Sequence, residues 1–354
     1  MAINFPEKYK QGLVEGFNKA SETNDLFTHD LDMEFSGVKT VHVTHLKTEP
    51  LQKYDRSVDV SKGSRYGSTK EVGDEVQTFE MTQDDSLSLS IDKGNNKEQF
   101  NMKKAGEVMK AEREEQIIPT VDAYRLAKWA KEGGIHEELT AAPDKSNIVG
   151  FIIDLHNKML DAGVPDKITL LIARTYLPKL KLSTEWTALD SLGGKTLTSG
   201  AIGEFDGMAV KPMTSKRMPA NVPFMLIYKG AVISPMKVEE FKAHMDPPGL
   251  SGDLLEFRMI YDAFVLGKKA NGVAVAVLKG YVQAAPTIAV SGGKATITAE
   301  GATGIFYTTD GSDPRYSKTA KAYTSAVSVE AGTVVRAYAE ADGKYRSAVA
   351  EANA

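Results

Sequence analysis

The sequence predicts an α+β protein that ends in a separate all-β module, and three observations carry that assignment. Residues 76–81 and 87–92 each alternate apolar and polar side chains, the period of a sheet with one dry face, and a long charged helical stretch follows them. Residues 168–173 read as a continuously apolar strand, which should be covered on both faces. Beyond Pro286 the texture changes to short strands separated by Gly-Gly, Asp-Gly, Asp-Pro and Ala-Gly, the rhythm of a small antiparallel sandwich.

At 354 residues the chain can bury a large core in two or more domains, and 42% hydrophobic with 25% charged residues excludes a largely disordered polymer. A net charge of −4 lacks the basic excess of a protein that grips DNA and suits a container better. With no cysteine there is no disulfide, thiolate zinc site or cysteine nucleophile. No window reaches the roughly 18 apolar residues of a membrane span. Residues 1–20 lack the apolar core of a secretory signal, so a soluble cytoplasmic product is expected.

Taken in order, residues 5–27 read as a polar arm with sparse apolar positions (Tyr9, Leu13, Val14, Phe17), either ordered by a neighbour or frayed. Residues 38–46 form a β-branched strand. From 51 to 75 the chain is polar, glycine-bearing and mixed in charge, which cannot make a core. Residues 99–131 are helical in period, but Pro119 removes a hydrogen bond and crowds the preceding turn. Either one helix bends there or two helices meet near Ile118. Ser146 or Asn147 caps a helix over Ile148–Asp161 that Gly163 and Pro165 stop. Then come a short helix at 176–182 with Trp186 beyond it, and small strands at 200–210. A hairpin of 224–228 with 231–233 is expected next, and another of 255–265 with 273–278 around Gly267–Gly272.

The run TFEMTQDDSLSLSIDKGNNKE, followed by IIPTVDAYRLAKWA, resembles a passage of phage shell proteins of the Hong Kong 97 type: strand, Gln-Asp, strand, Asp, long helix, Pro-x-x-Asp-x-x-Arg. Residues 200–210 resemble the Gly-x-Ile-Gly-x-x-x-Gly-x-x-Val strand pair of that family's axial domain, and the patterns together cover most of residues 30–280. The resemblance implies an N-terminal arm at 1–36 and a coat domain at 37–282 with peripheral and axial parts. Within it would lie an extended loop at about 51–92, a spine helix at about 99–132 and the axial domain at about 144–250. It also implies self-association as hexamers and pentamers in a shell around double-stranded DNA, with a separate scaffolding protein and a portal, in a virion assembled in the host cytoplasm. Some relatives crosslink subunits through a Lys–Asn isopeptide bond beside a buried Glu. Lys62 or Lys70 would supply the lysine, but no partner Asn is fixed, and no covalent chemistry is expected.

Residues 283–286 read as a linker and 287–354 as an immunoglobulin-like module. Its runs IFYTTDGSDP and TVVRAYA are similar to the C-terminal module of chitobiase and related hexosaminidases. Behind a linker, it would stand on the outside of a closed shell. Tyr307, Tyr316, Tyr323, Tyr338 and Tyr345 either stack on sugar rings or pack a small sandwich. Asp310 and Asp313 fit turn residues better than calcium ligands.

No catalytic pattern emerges. His29, His42, His45, His136, His156 and His244 are scattered, and His42 and His45, three apart on a strand, face opposite ways. Leu192-Gly193-Gly194-Lys195-Thr196 lacks the upstream glycine and strand of a phosphate loop. Asp84-Asp85 and Glu114-Glu115 read as solvated faces or inter-subunit salt bridges. The expectation is a non-enzymatic major capsid protein with no catalytic, cofactor-binding or metal residues, its C-terminal module serving host or glycan attachment. Two alternatives stay open: an encapsulin-type nanocompartment shell, and a glycan-binding protein acting through the C-terminal sandwich.

Overall fold

The computed structural model describes residues 21–28, 34–36, 39–46, 51–57, 64–67, 70–72, 74–94, 105–183 and 202–354. The expectations for Tyr9, Leu13, Val14, Phe17, His29, Lys62, Trp186, residues 99–104 and the 192–196 loop lie outside the described residues.

A six-stranded mixed sheet forms the centre, in the order Ile135–Glu138, Val273–Val277, Phe224–Tyr228, Ile168–Ala173, Met208–Met213, Ile202–Phe205. Alternation along Ile168–Ala173 sends Leu170 and Ile172 to one face, where the helix Ile148–Asp161 covers them. Leu171 and Ala173 go to the other, beneath Leu126 and Trp129. Both faces are dry, as an apolar strand requires. Gly163, at φ +79, ends the helix as expected. Asn147 stands at its N-cap as expected, but its side chain caps no helical amide; the turn before it is held by the Asp144 carboxylate, which accepts the amides of Ser146 (2.8 Å) and Asn147 (3.1 Å). Asp206 and Gly207, both at positive φ, make the two-residue turn that joins the last two strands.

The spine is one continuous helical run. Ala105–Glu112 passes into a wide π-type turn at Arg113–Ile117 and then into Ile118–Glu132. The amide of Ile118 donates five residues back, to the Arg113 carbonyl. Pro119 follows directly on this wide turn, so its missing N–H falls where the regular four-residue ladder is already interrupted. Met109, Ile117, Ile118 and Val121 pack on a three-stranded peripheral sheet of Met236–Met245, Gly252–Tyr261 and Gln83–Asp92.

Several expected pairings differ. Asp74–Glu80 and Gln83–Asp92 do not pair with each other; the first pairs with Thr40–Leu46, the second with Gly252–Tyr261. Buried Met81, with Thr82, turns the chain from one sheet to the other. The stretch 51–92, expected as one extended loop, thus divides: the loop returns along Asp74–Glu80, and Gln83–Asp92 joins the peripheral sheet. Two ten-residue strands match in length, and Leu87 and Leu89 face Phe257 and Leu255 across the register. Neither expected hairpin forms. Phe224–Tyr228 lies between Ile168–Ala173 and Val273–Val277, whereas Val232–Ile233 pairs with Phe264–Val265.

The C-terminal part is a two-sheet sandwich. Thr287–Ser291, Lys294–Thr298 and Val327–Ser328 face Lys321–Ala322, Gly304–Thr308, Val334–Glu340 and Ala350–Asn353, enclosing Ala295, Ile297, Val335 and Ala337. The last strand begins at Ala350, and Tyr345 before it is recruited by the connector. Its amide donates to the Tyr281 carbonyl (2.8 Å) and its carbonyl accepts the Gln283 amide (3.0 Å). Gln283 is itself buried, so this connection is not slack.

Candidate functional site: anchors of arm, loop and tail

The densest polar cluster lies where residues 21–27 cross the spine. Asp122 and Arg125, three apart on one helical face, are both almost fully buried. Asp122 accepts the Ser21 hydroxyl (2.5 Å), the Glu22 amide (2.8 Å), the Thr23 hydroxyl (2.6 Å) and Nη1 of Arg217 (2.9 Å). Arg125 donates through Nε to Ser234 (2.7 Å) and through Nη1 to Thr23 (3.1 Å), beneath the ring of Phe27. Burial pulls its guanidinium down to about 10, opposed by the Asp122 charge, so it remains a cation at neutral pH. Glu22 adds a bond from Thr214 (2.9 Å), and Asp25 pairs with Lys211. The Pro-x-x-Asp-x-x-Arg run thus fastens the arm. Its partners Ser21, Glu22 and Thr23 were missed from sequence; two hydroxyls spaced by two residues were the available signal.

The cluster continues to the base of the loop. Ser234 donates to the Asp262 carbonyl (3.0 Å), and the buried Asp262 carboxylate accepts the Thr82 amide (2.8 Å) and hydroxyl (3.0 Å) and the Tyr124 hydroxyl (2.7 Å). Burial pushes Tyr124 up to about 12. One polar chain therefore joins arm, spine, peripheral sheet and the turn at Thr82. Beyond that turn, the loop between Thr40–Leu46 and Asp74–Glu80 carries Leu51, Tyr54, Tyr66 and Val72 open to solvent. Tyr54 and Tyr66 meet edge to face at 5.0 Å.

The third anchor is the tail sandwich on the spine's end. Arg315, Tyr316 and Arg346 donate to backbone carbonyls of Gly134 (2.6 Å), Glu132 (2.6 Å) and Lys131 (3.0 Å).

The other residues singled out in the sequence are placed apart. His42 Nδ1 meets Thr78 Oγ1 at 3.0 Å, and no group of three metal-ligating side chains occurs among the described residues. Asp84 forms a two-pronged pair with Arg258 (2.9 Å each), which lowers its carboxyl, while Asp85 accepts the Tyr261 hydroxyl (3.0 Å). Glu114 lies 3.8 Å from Arg113. Asp310 accepts from the Ser312 hydroxyl (2.5 Å), the Thr319 hydroxyl (2.6 Å) and the Ser312 amide (3.0 Å), which together hold it at about 2. These are turn bonds, and Asp313 is engaged by Arg315. The five tail tyrosines are not one platform. Tyr307 and Tyr323 pack the sandwich core, Tyr338 stacks on Phe306, and Tyr316 and Tyr345 face the coat part.

A family model described as "Fn3 associated" matches residues 295–353. No curated protein matches the chain. Among solved structures, the capsid of cyanophage P-SCSP1u aligns at TM-score 0.54 and 12% identity, over 69% of this chain and 84% of that one. The bacteriophage PhiM1 mature capsid aligns at 0.53 and 12%, over 72% and 91%. A virus-like particle from Pyrococcus furiosus aligns at 0.50 and 10%, over 77% and 100%. At such identities the likeness concerns the fold: a Hong Kong 97 type coat fold, followed by an all-β immunoglobulin-like sandwich. Among the described residues, no helix is long and apolar enough to cross a membrane.

Proposed function

We propose that this chain is a major capsid protein, the repeating, non-enzymatic subunit of an icosahedral bacteriophage head. The observation that carries this reading is the coat fold together with its long loop, on which Leu51, Tyr54, Tyr66 and Val72 stand open to solvent; Val76, Leu182, Met245 and Tyr281 are the other exposed large apolar side chains among the described residues. A monomer gains nothing from exposing these side chains, whereas a ring of copies covers them when each loop lies on the next subunit. In this reading the copies form hexamers and pentamers, aided by a separate scaffolding protein and a portal, in a virion assembled in the host cytoplasm. Double-stranded DNA is enclosed without sequence-specific contact, in keeping with the net charge of −4. The accompanying domain limits are 1–36 for the arm, 37–282 for the coat, 283–286 for the connector and 287–354 for the sandwich. The sandwich would face outward. Its tyrosines are occupied in packing, so attachment to a host or glycan would use another of its surfaces.

An encapsulin-type nanocompartment is the second reading, favoured by the comparable fold match to the virus-like particle. The test is expression of the full chain alone and with a candidate scaffold, followed by sedimentation velocity and negative-stain microscopy. Closed particles are expected; a stable monomer under every condition would sink the shell reading. Nucleic acid inside the particles separates head from nanocompartment.

A further inference from the structure

The helix Ile118–Glu132 ends without a cap of its own. Gly133 leaves at φ −56 and ψ 151, not in the left-handed conformation that brings amides back to the last turn. Its final carbonyls have no partner within the helix and take donors from elsewhere in the fold. His136 Nε2 lies 2.7 Å from the Ala130 carbonyl. The next two, Lys131 and Glu132, take theirs from the C-terminal sandwich: Arg346 Nε and the Tyr316 hydroxyl. Arg315, held by Asp313 at 2.7 Å, reaches past the helix to Gly134. The guanidinium carbons of Arg315 and Arg346 lie 5.4 and 5.7 Å from the centre of the Tyr316 ring. Two cations thus stand at the negative end of the helix.

The same tyrosine also reaches the base of the loop. At Gly267 an added Cβ would stand 2.9 Å from Tyr316 Cβ and 2.7 Å from Gln77 Nε2, so only glycine lets the three approach. The Gly267 amide donates to Gln77 Oε1 at 3.3 Å. Gln77 belongs to Asp74–Glu80, one of the two strands that carry the loop.

We propose that the C-terminal sandwich is an internal brace. Its surface of Arg315, Tyr316 and Arg346 docks on the open carbonyl end of the spine helix and, through Gly267, steadies the base of the extended loop. The partner it fits is this chain's own spine, so the inference does not depend on shell formation. A module present only for display needs nothing but a tether; this one supplies donors that the spine lacks. Its attachment also has no freedom to swing, since Tyr345 pairs with the connector and its hydroxyl donates to the Ala220 carbonyl (3.2 Å).

The test is hydrogen exchange on the full chain, comparing wild type with the double variant Tyr316→Phe/Arg346→Met. Amides of residues 130–138 and of Asp74–Glu80 should exchange about tenfold faster or more in the variant, since two bonds to otherwise unmet carbonyls are lost. The control Arg336→Met removes only a pair with Glu351 inside the sandwich and should change neither segment. Unchanged exchange at 130–138 overturns the brace. Faster exchange there, with Asp74–Glu80 unaffected, overturns its reach to the loop. Should the double variant not fold, Tyr316→Phe alone removes one hydroxyl with little change in packing, and the same two segments decide the matter.

Discussion

The middle and the end of the spine's last segment are held in opposite ways. At Asp122 and Arg125 the helix offers charged side chains, and the arm brings hydroxyls and an amide to them. At Lys131 and Glu132 the helix offers only carbonyls, and the tail brings the side chains. The first arrangement concentrates its strength in one buried carboxylate. The second spreads it over several donors, with no single acceptor that a substitution can delete.

Asp122→Ala should therefore be the harshest way to break the contrast. It strands buried Arg125 and frees the arm, and should cost about 3–5 kcal/mol in urea or guanidinium unfolding. A loss below about 1 kcal/mol would mean that Arg217 and solvent readily replace the pairing. A milder probe acts on the tail side. Burial, reinforced by Arg346 and Arg315, holds His136 down at about 4, and its Nδ1 has no hydrogen-bond partner among the described residues. Its folded value lies below the unfolded value of about 6.5. Its contribution is thus intact above pH of about 6.5 and is lost as pH falls toward 4. Stability measured across that window should decline in wild type and decline less in His136→Gln; parallel curves would remove His136 from the account. The smallest effect is expected at the exposed pair on the peripheral sheet, where Asp84→Asn should leave the melting temperature essentially in place. A clear drop there would show that surface pairs, and not the buried cluster, govern the coat part.

The same contrast explains what was legible in the sequence. Ile148–Asp161 and Ile168–Ala173 are local patterns, and each was readable from its own residues. Pairing was not. Alternation tells a strand which faces it has, but not which strand will lie beside it, so Gln83–Asp92 found Gly252–Tyr261 instead of its neighbour in sequence. Asp122 and Arg125 were visible only as part of the Pro-x-x-Asp-x-x-Arg run that resembles the coat family. Ser21 to Thr23 were not, because a hydroxyl-rich terminus reads as solvent-facing. The tail's docking site was invisible in principle: its acceptors are peptide carbonyls, which every sequence possesses, and Gly133-Gly134 reads as an ordinary stop.

The wide turn at Arg113–Ile117 has a geometric result of its own. A π-type turn amounts to one extra residue threaded into an α-helix, which sets back the angular phase of everything after it by about 100°. Met109 lies before that offset, while Leu126 and Trp129 lie after it. Two separate sheets can thus both meet an apolar stripe of the same rod, without the rod being broken or its stripe widened. Closing the turn into ordinary α-helix with all its residues kept would turn one of those stripes away from its sheet by about 100°, whereas deleting a single residue inside the turn would leave both stripes facing their sheets.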